Sequence, residues 1–392
     1  MTKLGILSVA IFLAFTFPVA AQAQAQPAEK ITPVLLSVQD PPVPFLGSDG
    51  RTHLVYELWL QNFSSGNVAV EQVEILGDSK ILATLDAPEI AARLQPAGQR
   101  QPASAMASGT TALLFVHVTL PPNATAPHKL AHRIHLRAEA APPGSQEITE
   151  TGGEVAPSAQ PVALIGPPLQ GHNFISADSC CDSTRHVRAA LPVNGRVWLA
   201  QRFAVDWEQL DDSGRIYNGP ASDPNSYTIF GKPVFAVADA KVASVTDGLP
   251  EQTPGKFPEN IPIEQADGNS VVLDLGGGHY CLYAHLQPGK IRVHAGESVK
   301  RGQVLGLVGN SGNSVAPHLH FHVMSTAAPL AANGLPYAID AFRVTASTPG
   351  TADFDEAESK GTPLALTSAP GAPRRPVANA LPLDQLVISF GE

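Results

Sequence analysis

The chain has 392 residues, of which 44% are hydrophobic and 15% charged, with 36 Pro and 33 Gly. That length is too great for one ordinary domain, and the Pro- and Gly-rich, charge-poor mix argues for short strands and many turns over long helices. The net charge of −10, with no basic stripe, argues against a nucleic-acid binder and against anionic partners.

The first element is an export signal. Lys3 supplies a positive start, Leu4 to Ala20 is an almost unbroken apolar run, and Ala21-Gln22-Ala23 and Ala23-Gln24-Ala25 fit small-x-small cleavage. Residues 1–25 are therefore expected to be a signal peptide, and the mature chain to be exported, periplasmic or extracellular. No Cys stands at the junction to carry a lipid, and no later segment is long and apolar enough to span a bilayer.

Short alternating segments follow over residues 31–140. In His53 to Gln61, Leu54, Tyr56, Leu58 and Leu60 fall on one face. Val68 to Leu76, Thr111 to Leu120 and Lys129 to Arg137 read the same way, with turn-rich pieces such as Gly47-Ser48-Asp49-Gly50 between them. The expectation is an immunoglobulin-like β-sandwich with no obvious chemistry, a spacer or docking unit. Residues 141–160, rich in Pro, Gly, Ser and Glu, are expected to be a linker.

A second β-rich domain is expected over 161–344. Asn269 to Leu275 and Tyr280 to Leu286 predict a hairpin across Gly276-Gly277-Gly278, and Gln303 to Val308 another strand. The Pro-rich insert Leu249 to Pro262 reads as a loop over one end of the sheet. Residues 345–392 form a low-complexity tail, disordered over Thr348 to Pro376, with Leu386 to Phe390 as a last strand docked on either domain. Cys180, Cys181 and Cys281 sit in this half, and one of the adjacent pair is able to bridge to Cys281; sequence leaves the pairing open.

The chemistry concentrates in Pro317-His318-Leu319-His320-Phe321-His322-Val323. On a strand the three His share one face, roughly 6.6 Å apart. Leu319, Phe321 and Val323 then point to the core. Three imidazoles on one face suggest a metal or acid–base site. The remaining His, at 53, 117, 128, 132, 135, 172, 279 and 294, carry no pattern and read as non-functional.

Five motifs precede and include this strand. They are Arg202-Phe203-Ala204-Val205-Asp206; Gly231-Lys232-Pro233-Val234 with Ala236-Val237-Ala238-Asp239; Tyr283-Ala284-His285-Leu286; Gly296 to Gln303; and Gly309-Asn310-Ser311-Gly312-Asn313-Ser314 leading into the three His. In that order they resemble the lysostaphin/LytM family of zinc metallopeptidases, peptidoglycan endopeptidases that cut peptide cross-links. The resemblance covers about Arg196 to Met324 and implies an antiparallel β-sheet peptidase domain of LytM, or duplicated-hybrid-motif, type. It implies Asp206 and His320 as zinc ligands and His285 and His318 as catalytic histidines, with peptidoglycan as partner. Trp207 and Asn310 are candidates for the substrate groove.

One position departs from the family. Where its first ligand His stands, this chain has Arg202, which has no lone pair to give. Three readings follow. Zinc is absent, Asp206 pairs with Arg202, and the domain binds cell wall or regulates a wall amidase. Alternatively His322 or His186 supplies the third ligand. In the last reading two protein ligands plus water hold metal weakly.

Overall fold

The computed structural model describes residues 29–367 and 376–391. The expected signal peptide, 1–25, lies outside them. Residues Pro33–Glu392 form one compact unit, mainly of antiparallel strands, and no helix among the described residues is long and apolar enough to cross a membrane.

The N-terminal half forms two antiparallel sheets that share one core, called the sandwich below. Strand β1 (Thr52–Asn62) is central to the first, and β2 (Val68–Gly77) to the second. Strand β3 (Thr111–Thr119) pairs with β1, while β4 (Leu130–Ala138) pairs with β2. Alternation sets the faces. Leu54, Tyr56, Leu58 and Leu60 of β1 and Ala112, Leu114, Val116 and Val118 of β3 are buried in one core with Val68, Val70, Val73 and Ile75 of β2. Each such side chain removed from water contributes about 1.5–3 kcal/mol.

The expected linker, 141–160, contains a strand. β5 (Glu147–Val155) pairs with β4 from Glu147 opposite Arg137 to Val155 opposite Leu130. Its Pro, Gly and Ser lie largely in the turn before it, while Ile148 and Val155 pack against the sandwich core. Edge-strand pairing overrides the polar composition that suggested a linker.

One buried histidine in the sandwich has a consequence for stability. Tyr56 Oη lies 2.7 Å from His132 Nε2, and His132 is wholly buried. Burial pushes the His132 imidazole down from 6.5 to about 4. As pH falls, the unfolded chain takes up this proton first. The stability tied to neutral His132 is thus complete above 6.5 and is lost between there and about 4. We expect a loss of about 2 kcal/mol by pH 5 and about 3 kcal/mol by pH 4. Urea midpoints of the wild type and His132→Gln check this: the variant should lose less stability over the same interval.

Beyond the sandwich, strand β6 (Gly171–Ala177) is followed by the short helix α1 (Thr184–Val187) and strand β7 (Val205–Gln209). Strands β8 (Ala240–Thr246), β9 (Asn269–Gly276), β10 (His279–Leu286) and β11 (Leu319–Met324) follow. Last come β12 (Phe342–Ser347), helix α2 (Thr351–Lys360) and β13 (Leu386–Phe390). One large sheet runs β8-β9-β10-β11-β7-β6-β13-β12.

The predicted hairpin is β9–β10, turning through Gly276-Gly277-Gly278, all three with positive φ. The predicted last strand docks inside the sheet, between β6 and β12. Within the stretch expected to be disordered, residues 351–360 form α2, which buries Phe354 and Ala357 against Ile175, Leu210 and Val387.

The sandwich and the large sheet share packed surface. Phe45 meets Phe203 edge-to-face, 5.4 Å between ring centroids. Leu113 and Phe115, the outward residues of β3, pack on Val187 and Leu199. The first sheet therefore buries both faces, which leaves β1 with a second buried row that includes Val55 and Glu57.

Candidate active site

Strand β11 builds the site. It lies between β7 and β10, so His320 stands opposite Asp206 on one side and opposite Ala284 on the other. Leu319, Phe321 and Val323 enter the main core, which fixes the register and sends His320 and His322 to the opposite face. His285 follows Ala284 directly and His318 precedes the strand. The predicted convergence is present. Asp206 Oδ1 lies 2.9 Å from His320 Nδ1 and 3.4 Å from His318 Nε2. The His285 ring is 4.7 Å from that of His318 and 5.8 Å from that of His320, between centroids.

Arg202 is not part of this point. Its Nε and Nη2 donate to Glu57 Oε1 and Oε2 at 2.9 and 2.5 Å, across the junction with the sandwich. The side chains are 5% and 3% exposed. Burial raises the Glu57 carboxyl above the usual carboxylate range, and the Arg202 guanidinium opposes that rise. The expected Asp206–Arg202 pair is thus replaced by Glu57–Arg202, because β1 offers a buried carboxylate on its outward row.

The imidazole beside Asp206 belongs to His186, on α1. Its Nε2 lies 3.3 Å from Asp206 Oδ2. Its Nδ1 donates to the Asp178 carbonyl at 2.7 Å. The turn carrying it is tied down locally: Asp178 accepts from Ser183 Oγ at 2.7 Å and from Arg185 Nη1 at 2.8 Å. Cys180 and Cys181 within this turn are bonded to each other, and Cys281 is a buried free thiol in the core. The bridge to Cys281 is not formed.

Burial alone would lower His186, but the Asp206 carboxylate outweighs it and raises the imidazole to about 9. Burial would raise Asp206, yet the charges of His186 and His318 hold it well below the usual range. His285 and His320 are lowered, chiefly by burial.

Proton positions follow from the partners. Carbonyl oxygens only accept, so an imidazole nitrogen facing one must carry hydrogen. His186 faces Asp178 O, His285 faces Ser311 O at 2.8 Å and His318 faces Ala316 O at 2.8 Å, each through Nδ1. When neutral, all three present the Nε2 lone pair. This donor set fits a divalent metal. One ligand atom each from His186, Asp206 and His320 lies within 4.8 Å of the others, as does one each from His285, His318 and His320.

The loop 309–314 positions His285. Ser311 supplies the carbonyl, and Asn310 staples the turn through Nδ2 to Gln252 O at 3.1 Å and Oδ1 from Ser314 Oγ at 2.6 Å. Gly312 has φ +74, and a Cβ there would overlap the Gly268 backbone. His285 itself takes φ +61, a conformation costing about 1–3 kcal/mol that surrounding structure must impose. The Pro-rich insert packs here too, with Glu251 accepting from Asn310 N at 2.5 Å.

Three further sequence candidates fall elsewhere. Trp207 is fully buried with its indole edge-on to Phe390; strand alternation puts it opposite to Asp206, so it lines no groove. Asn310 is fully buried as well, with its side chain committed to the staple. His322 sits behind His320, Nδ1 to Nε2 at 3.0 Å, and does not reach Asp206 within ligand distance. The sequence offers no reason to single out Asp178 or the Ser311 and Ala316 carbonyls. Glu57, a lone acid in an apolar strand, was the one visible signal.

Residues 227–332 match Peptidase family M23, a segment that contains His285, His318 and His320 and begins after Asp206. The peptidoglycan DD-endopeptidase ShyA of Vibrio cholerae is 29% identical over 183 residues, 43% of this chain and 39% of ShyA. Lysostaphin of Staphylococcus simulans is 43% identical over 71 residues, 18% of this chain and 14% of lysostaphin. The solved catalytic domain of that lysostaphin is 22% identical, covering 42% of this chain and 88% of the domain with a TM-score of 0.24. The chain thus spans well under half the length of these curated relatives.

Proposed function

We propose that this chain, which carries a Peptidase family M23 segment, is an exported zinc-dependent endopeptidase acting on peptide cross-links of peptidoglycan. The observation that carries the reading is the approach of His186 Nε2 to Asp206 Oδ2, 3.3 Å apart, beside His320. It supplies the third protein donor that Arg202 cannot. His186, Asp206 and His320 would hold the ion. Zinc so held supplies Lewis acidity and a water ionised near neutral pH.

The remaining residues handle substrate and protons. His285, fixed by Ser311 O, keeps its Nε2 free to accept a proton from the attacking water and deliver it to the leaving amine. His318, fixed by Ala316 O through Nδ1, places Nε2 beside Asp206, where as an imidazolium it would donate to the carbonyl oxygen as charge develops. The export signal read at residues 4–25 supports a location where peptidoglycan is reached. The sandwich would then act as the rigid base holding Arg202 away.

A peptidoglycan zymogram with mass spectrometry of the products, beside metal analysis of the purified chain, tests the reading. His285→Ala should keep zinc and lose about 10²–10⁴-fold in activity. A chain without zinc that still binds sacculi would point instead to a wall-binding or amidase-regulating role.

A further inference from the structure

A second imidazole cluster lies where the sandwich meets the turn that precedes His186. His53 on β1 and His117 on β3 stack, with ring centroids 5.2 Å apart. His117 Nδ1 is 2.9 Å from Asp182 Oδ2, and His53 Nε2 is 3.0 Å from Asp49 Oδ1. A carboxylate only accepts, so each ring gives its N–H to its acid. The other two nitrogens, His53 Nδ1 and His117 Nε2, then face each other at 2.9 Å. Thr119 Oγ1 lies 3.4 Å from the first and 3.3 Å from the second; its single hydrogen serves only one of them, which leaves the other lone pair open to a proton or a metal ion.

The third donor is sulfur. Cys181 Sγ lies within 4.8 Å of both these imidazoles. It is bonded to Cys180, and the pair forms part of the wall of a cavity of about 600 Å³, shared with His117, Asp182 and Arg185. Imidazoles whose second N–H is held by a carboxylate are the arrangement that orients histidine for metal. Two nitrogens and one thiolate suit a borderline-soft divalent ion, with a fourth position open to water.

We propose that reduction of the Cys180–Cys181 disulfide creates a second metal site, in which His53, His117 and the Cys181 thiolate bind a zinc-class divalent ion. A dithiol donor gives two electrons and two protons to the disulfide and becomes a disulfide itself; the S–S bond breaks and two thiols form. Metal entry then displaces the Cys181 thiol proton and the proton between the rings to solvent. Metal–nitrogen bonds of 2.0–2.1 Å at a tetrahedral angle set the nitrogens about 3.3 Å apart, so the rings separate slightly on loading. The site shares no ligand with the proposed peptidase centre.

Cobalt(II) titration of the full chain tests this. The protein is compared oxidised and after dithiothreitol treatment, with the reductant removed anaerobically. The expected result is a thiolate-to-cobalt charge-transfer band in the near ultraviolet only after reduction, saturating at about one added equivalent. It should persist in His320→Ala, vanish in Cys181→Ser, and need at least about 10-fold more cobalt in His53→Ala and in His117→Ala. No band in the reduced wild type overturns the proposal. So does a band that survives Cys181→Ser, or one unchanged in both histidine variants, because the Cys180 thiol or the thiols alone would then account for it.

Discussion

Replacing His186 by alanine is expected to strip zinc from the chain, while His322→Ala leaves zinc content near that of the wild type. The difference rests on placement. His186 Nε2 lies 3.3 Å from Asp206 Oδ2, whereas His322 meets only the far nitrogen of His320, at 3.0 Å. Loss of an outer partner weakens metal binding about 10–100-fold, and loss of a ligand costs more than that. We therefore expect His186→Ala to reduce zinc affinity by more than about 100-fold and to abolish hydrolysis in a zymogram. Metal analysis after dialysis against a weak chelator reads the first effect directly. Full zinc retention in His186→Ala would end the assignment, and zinc loss in His322→Ala would move the third ligand to β11.

Glu57→Ala is expected to destabilise the fold by about 3–5 kcal/mol, because it leaves the Arg202 guanidinium buried without its partner. The same range is expected for Arg202→Ala, which strands the Glu57 carboxylate. Replacing both together, as Glu57→Leu with Arg202→Met, should recover most of the loss, since an apolar pair of similar volume escapes the desolvation cost of two charges. Urea denaturation of the wild type, Glu57→Leu, Arg202→Met and the double variant gives the double-mutant cycle. An additive cycle, or a Glu57→Ala protein within about 1 kcal/mol of the wild type, would show that the pair is not coupled as its 2.9 and 2.5 Å contacts require.

This ion pair accounts for where the Arg202 side chain goes. Arg202 is four residues before Asp206, where the family resemblance places a histidine ligand. Its long side chain turns away because β1 holds a carboxylate on the row facing it. The turn 178–186 then brings His186 to the other side of Asp206. The two changes together keep two imidazoles and one carboxylate about one point.

Much of the centre was legible in the sequence. Period-2 alternation placed His320 and His322 on one face and Leu319, Phe321 and Val323 in the core, since a pleated strand allows nothing else. The same rule places Asp206 and Trp207 on opposite faces, and Trp207, expected at the substrate groove, lies buried in the core. Local turn chemistry identified the Gly276-Gly277-Gly278 hairpin and the Asn310 turn. The strand at 147–155 was hidden because its polar composition imitates a linker; the exposed edge of β4 is what gives it a partner.

What the linear order of residues settled by itself was the β class, the strand faces and the four groups at 206, 285, 318 and 320, because these depend on spacing within short segments. Setting His186 rather than His322 beside Asp206, sending Arg202 to Glu57 and gathering His53, His117 and Cys181 fell to tertiary structure alone. These pairs are far apart along the chain, and only the packing of the sandwich against the large sheet brings their charges and lone pairs within bonding distance.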